Sequence, residues 1–204
     1  MRLRIKTTFA LLLTVAAVSA GTAVAQNPAQ SAAQSSMPPR AELALGYTYM
    51  HSNAPPGGCG CFNLNGGSAS FAWAIKPGSW DVVGDVVAGY AGGVSAAGYG
   101  LTLSAFTAGV RYLPPVGHSS FQPFGQVLAG VAHSSGTLVQ GSQSATTNAG
   151  AAFAGNFGGG VDLHANQRFS IRLVEADYLL TTFDNGSNNH QNNLRISAGV
   201  VIHF

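Results

Sequence analysis

Nine charged side chains stand in otherwise apolar or small-residue surroundings: Glu42, Asp81, Asp85, Arg111, Asp162, Arg172, Glu175, Asp177 and Arg195. Only 8% of the 204 residues are charged, against about a quarter in ordinary soluble domains. Each of these groups is therefore conspicuous. Carboxylates and guanidinium groups gathered together can relay protons or line a polar path. They can also pair through charge-assisted hydrogen bonds and fill an interior. Three arginines among six acids favour the second, since a buried charge left unpaired costs several kcal/mol. The expectation is a network of mutual partners that stiffens an interior.

Other reactive types are sparse. Cys59-Gly60-Cys61 follows Pro55-Pro56-Gly57-Gly58 in a loop-like stretch. A disulfide between the two would close a small, strained ring, so a local disulfide, separate thiols and an intermolecular pairing all stay open. A metal site there would need further ligands, and none is adjacent. Six histidines occur (His51, His118, His133, His164, His190, His203), but no two have ligand spacing on one strand, so no metal site is expected. The glycines between Gly155 and Gly160 follow no βαβ unit, which removes a phosphate-binding reading. No cofactor is expected.

The charges all lie on segments that alternate. The C-terminus is the clearest: Leu194, Ile196, Ala198, Val200, Ile202 and Phe204 are apolar, while Arg195, Ser197, Gly199 and His203 between them are polar or small. A period of two is the repeat of a strand. No second layer elsewhere in the chain could cover the apolar face, so that face is read as touching lipid. Eight such segments are legible, at about 40–51, 66–76, 80–91, 100–113, 121–133, 150–164, 168–182 and 194–204. In the third, Trp80, Val82, Val86, Ala88 and Tyr90 share one side and Asp81, Val83, Asp85 and Val87 the other. The seventh changes phase. Ile171 and Leu173 point out with Arg172 in, yet Ala176, Tyr178 and Leu180 point out with Glu175 and Asp177 in. A β-bulge at Leu173-Val174 reconciles the two halves. Without it an arginine or two acids would meet lipid, at ~2–4 kcal/mol for an arginine at mid-membrane.

The connections alternate long and short, as in an up-and-down barrel with longer loops on one side. Tyr47, Tyr49, Tyr90 and Tyr178 fall near one end of the strands and Trp80, Tyr112, Phe121, Phe169 and Phe204 near the other. This is the placing of interface anchors. Eight strands is also the number whose inward side chains just fill the interior. The fold class is thus all-β, a closed eight-stranded antiparallel up-and-down transmembrane β-barrel over residues 40–204.

The N-terminus is a different kind of segment. Arg2, Arg4 and Lys6 precede an apolar run from Phe9 to Ala20, and Ala23-Val24-Ala25 supplies small residues for cleavage. Residues 1–25 are expected to be a signal peptide. Residues 26–39, rich in Gln, Ala, Ser and Pro, are expected to be a flexible periplasmic leader. Removing Arg2, Arg4 and Lys6 takes the basic count from nine to six against seven acids. A remainder near −1 lacks the basic footprint of a nucleic-acid binder. Past residue 25 no apolar run approaches the ~18 residues of a membrane helix, so any crossing must be made by strands that close on themselves.

Seen whole, Arg40 to Phe204 resembles the eight-stranded outer-membrane β-barrel family, which includes the transmembrane domain of outer-membrane protein A and the opacity-type surface proteins. The likeness rests on Ile171-Arg172-Leu173-Val174-Glu175-Ala176-Asp177-Tyr178-Leu179-Leu180, on Asn192 to Phe204, and on Gly158-Gly159-Gly160-Val161-Asp162. It implies a bacterial outer-membrane location after signal cleavage, contact with outer-membrane lipid, and Phe204 as the residue read by the outer-membrane assembly machinery. It implies a monomer whose loops meet an unidentified extracellular ligand, in a structural or surface-interaction role. The alternatives within the resemblance are a narrow porin-like channel and a lipid A-modifying enzyme. For the latter, His133-Ser134-Ser135 is similar to the His and Ser two residues apart of the lipid A 3-O-deacylases, but no acid lies between Arg111 and Asp162 to orient the histidine. The expectation is therefore a barrel that is not an enzyme. With the sequence running to Phe204, no peptidoglycan-binding domain of the protein A type is expected.

Overall fold

A computed structural model describes residues 40–53, 61–76, 79–92, 100–117, 119–136, 150–183 and 190–204. The expected signal peptide, the leader, Cys59 and the central parts of the long connections lie outside these residues.

Eight strands are present: β1 (Ala41–Ser52), β2 (Phe62–Lys76), β3 (Trp80–Ala91), β4 (Leu101–Tyr112), β5 (Phe121–Gly136), β6 (Gly150–His164), β7 (Phe169–Thr181) and β8 (Gln191–His203). Each pairs antiparallel with its neighbours in sequence, and β8 returns to β1 to close a barrel. The closing ladder runs from Glu42 opposite His203 to Ser52 opposite Asn193. Closure leaves no strand edge unpaired, which hydrocarbon would not tolerate. Among the described residues no helix is long and apolar enough to cross a membrane.

Alternation decides which side chains enter the barrel. Along β3 every residue from Trp80 to Ala91 switches between exposed and buried without a break. The bulge expected in β7 is present. Val161 pairs with Val174 and Asp162 with Arg172, while Arg172 pairs with Gly199 and Glu175 with Ser197. Leu173 and Val174 thus share one place in each ladder, and both lie on the outer surface. This keeps Arg172, Glu175 and Asp177 inside together. A second shift puts Ile75 between the pairs Ala74–Asp81 and Lys76–Trp80. It lies beside the turn after β2, and the alternation of β2 gives no sign of it.

Three strands run further than their hydrophobic pattern indicates. β2 begins at Phe62, β5 continues to Gly136 and β8 begins at Gln191. The extensions all lie at the long-loop end, where the alternation inverts. Asn63, Asn65 and Ser135 face out, and Leu64, Ala132 and Met50 of β1 face in. Strands of 12 to 16 residues exceed the ~9–11 tilted residues that cross hydrocarbon. The surplus stands above the apolar collar, so its outward positions are polar. A search for outward apolar residues stops short there.

Candidate functional site

The interior has two layers. At the long-loop end Met50, Leu64, Val87, Ala91, Leu103, Ala105, Ala132, Ala154, Leu179 and Phe183 form a buried apolar cluster. This plug was not anticipated, because its residues are one or two inward positions from each of β1 to β7, with Phe183 from just beyond β7. The charged residues occupy the layer beneath it.

Arg195 on β8 is 1% exposed. It reaches across the barrel to Asp85 on β3 through two hydrogen bonds, Nη1 to Oδ2 at 2.6 Å and Nη2 to Oδ1 at 3.0 Å. Its Nη2 also donates to Glu175 Oε1 at 3.0 Å, and its Nε lies 3.6 Å from Asp177 Oδ2. Arg172 grips Asp162 on the neighbouring β6 in the same two-pronged way, at 2.8 and 3.0 Å, and donates to Glu175 Oε2 at 2.7 Å. Glu175 therefore joins both arginines. A fork-to-fork pair fixes direction as well as distance, which suits a wall-to-wall tie. The third arginine, Arg111, lies 3.8 Å from Glu42. Asp81 is buried opposite Arg111 in the β3–β4 ladder, with no ion pair within 4 Å to a described residue. All nine predicted charges thus lie inside the barrel wall, and eight take part in ion pairs.

Two inward residues without charge complete the layer. Gln126 on β5 accepts from Arg111 Nε and Nη2 at 3.2 and 3.0 Å and donates to Glu175 Oε1 at 2.9 Å. It is the link between Arg111 and the other ties. Phe124, two residues earlier, has the Arg111 and Arg172 guanidinium carbons 4.4 and 4.5 Å from its ring centroid, within the range of cation–π attraction. Their inward parity was legible, but their role depends on what lies opposite. Room for the layer comes from glycine. A Cβ on Gly158 would stand 2.1 Å from Asp177 Oδ1, and one on Gly160 would stand 2.8 Å from the Phe124 ring. A cavity of about 10 Å³ remains between Ser70, Arg172, Glu175, Arg195 and Ser197, space for about one water.

At the short-turn mouth His164 on β6, Ser170 on β7, His203 on β8 and Glu42 on β1 form a chain. Ser170 Oγ is 2.7 Å from both His164 Nδ1 and His203 Nε2, and His203 Nδ1 is 3.3 Å from Glu42 Oε1. Ser170, His203 and Glu42 have the order of a nucleophile–base–acid triad. Ser170 is nevertheless fully buried, and its hydroxyl is shared with a second imidazole. It presents no surface to a substrate. His133 and Ser135 face outward, Ser134 faces in, and every described Asp and Glu side chain lies on the lumen side of the wall. The wall thus separates the described acids from His133 and Ser135. Cys61 is exposed and free, while Cys59, its partner in the possible local disulfide, lies outside the described residues.

The outer surface is a continuous collar of exposed apolar side chains, including Leu45, Phe71, Val82, Phe106, Val127, Phe157, Ile171 and Val200. Trp80 and Tyr112, paired across β3 and β4, pack with centroids 4.9 Å apart and ring planes tilted by 47° at its lower border. Arg40, Lys76 and Arg168 are exposed at that end.

No family model matches the sequence, and no curated protein matches it. Solved structures do. Ail, the attachment invasion locus protein of Yersinia pestis, aligns with a TM-score of 0.57 at 15% identity, over 82% of this chain and 100% of that one. The fold is that of the eight-stranded outer-membrane β-barrels. A second structure of Ail, in complex with the heparin analogue sucrose octasulfate, gives 0.55 at 15% identity, over 82% of this chain and 100% of that one. Neisserial surface protein A gives 0.55 at 14% identity, over 80% and 97% of the two chains, and OprG of Pseudomonas aeruginosa 0.51 at 14%, over 81% and 96%. At such identities an outer-membrane-type barrel is shared as architecture, and roles have to be argued from this chain's own residues.

Proposed function

We propose that this chain is a monomeric bacterial outer-membrane barrel with a sealed lumen, which acts as a rigid mount for its long connections in envelope structure or surface interaction. The observation that carries this reading is the filled interior, an apolar plug above a charge network. The exposed collar supports a lipid setting, since so large an apolar surface is poorly solvated in water. Residues 1–25 serve as the cleaved signal peptide and 26–39 as a periplasmic leader. Phe204 is the residue the assembly machinery reads; its backbone is tied to Arg40 and Ala41. The role is structural and not enzymatic.

The four long connections contain no lysine or arginine. A sulfated polyanion of the kind bound to Ail would find no fixed positive charge there, so a neutral partner surface suits these loops better. Conductance across a planar lipid bilayer separates this reading from a narrow channel. The folded full chain should give no discrete current steps, and a stable unitary conductance would contradict the sealed lumen. Binding to cells should fall when the loops at 53–61 and 137–149 are trimmed, with the barrel still folded. Unchanged binding would remove the loop-display role.

A further inference from the structure

We propose that the short-turn rim of the barrel is a docking surface for anionic glycerophospholipids, whose headgroup phosphates it binds through Arg40, Lys76 and Arg168. The proposal rests on the reading that the apolar collar faces lipid. Past residue 25 the chain has six Lys and Arg residues. Arg111, Arg172 and Arg195 belong to the lumen network. The other three are exposed and lie at one end of the barrel. The strand ladders set them side by side. His203 N donates to Arg168 O at 2.8 Å, Arg40 N to Phe204 O at 3.0 Å, and Ala74 N to Arg40 O at 2.9 Å. Lys76 follows two residues after Ala74, opposite Trp80. One arc of the rim, over β7, β8, β1 and β2, thus carries all three.

Charge and depth together say what this arc faces. Among the described residues none of the three cations is in an ion pair. Every described Asp and Glu side chain lies on the lumen side of the wall. The three short connections and residues 26–39 contain no acid. With the Phe204 carboxylate counted against them, the cations still leave an excess of positive charge. The long connections are the converse, with no Lys or Arg and one acid, Asp184. An anionic surface therefore fits the short-turn end alone. As for depth, each cation adjoins a large exposed apolar side chain: Phe169 after Arg168, Ile75 before Lys76, and Phe204 bonded through its backbone to Arg40. Long basic side chains at such a border lay their methylene stems on apolar surface and hold the charge at headgroup level. Attraction to an anionic lipid surface grows with each Lys or Arg held near it. A zwitterionic headgroup brings its own ammonium group and gains less.

Brominated lipid reads this preference at Trp80, opposite Lys76. The folded full chain with Trp73→Phe keeps Trp80 as its one indole. It is placed in phosphatidylcholine vesicles containing brominated phosphatidylglycerol or, at equal mole fraction, brominated phosphatidylcholine. Phosphatidylglycerol should be favoured about two- to fivefold at Trp80, and the preference should shrink as salt rises. Combined Arg40→Gln, Lys76→Gln and Arg168→Gln should abolish it. Should that variant fail to fold, Lys76→Gln alone decides, and should cut the preference by about half. In a Trp73→Phe/Trp80→Phe background, Tyr178→Trp puts an indole near the long-loop end, where no preference is expected. Equal quenching of Trp80 by the two lipids would overturn the headgroup site and leave the lipid-facing collar standing. No quenching by either would overturn both. A preference that survives the charge removal, or that appears equally in Tyr178→Trp, would also overturn the site.

Discussion

Arg195 is the residue on which the interior turns, because it ties β8 to both β3 and β7. Truncation to alanine leaves Asp85 and Glu175 buried beside one another's charge, without their common partner. Removing one side of a buried pair costs about 3–5 kcal/mol, so Arg195→Ala should lower the urea midpoint of vesicle-inserted protein by that equivalent. Arg195→Met combined with Asp85→Leu should recover part of the loss, since replacing both members removes the stranded charge along with the tie. Gln126→Leu has a smaller expected effect, about 1–3 kcal/mol, from unsatisfied donors on Arg111 and a lost donor to Glu175. Equal effects for Arg195→Ala and a lipid-facing Val127→Ala would show that the network contributes nothing specific.

Among elements, β7 carries the sharpest test. Its bulge lets Arg172 and the Glu175/Asp177 pair face the same way despite an odd spacing. Deleting Leu173 should force one set outward. An arginine at mid-membrane costs about 2–4 kcal/mol, and turning the acids outward would leave Arg172 with Asp162 alone and Arg195 with Asp85 alone. The expected outcome is loss of the compact, heat-modifiable band on unboiled gels, while Ile171→Val leaves it intact. Retention of that band in the deletion would argue against the phase shift. The bulge was legible because charges within a hydrophobic repeat allow only one phase for each half-strand. Parity also placed all nine charges inside. It could not name their partners, because Arg195 meets Asp85 across the barrel and 110 residues away in sequence. The apolar plug and the Gln126–Glu175 bond arise likewise from contacts across the lumen, while the His164–Ser170–His203 chain depends on the registers of the β6–β7 and β7–β8 ladders, which alternation alone does not fix. Strand extents at the long-loop end were missed for a different reason, the inversion of alternation above the collar.

At the scale of the whole molecule, outside and inside answer to different solvents. The inner surface is held by pairs and a plug, and the outer one offers exposed apolar side chains that no other described residue covers. Both tryptophans of the chain, Trp73 and Trp80, lie on that outer surface, 52% and 44% exposed. Their fluorescence in vesicles whose acyl chains carry bromine reports contact with hydrocarbon, since bromine quenches an indole it touches. A barrel solvated by lipid should show strong quenching of both, resolved one at a time in Trp73→Phe and Trp80→Phe. Emission equal to that in unbrominated vesicles, with the strands folded, would contradict the claim that the collar faces acyl chains.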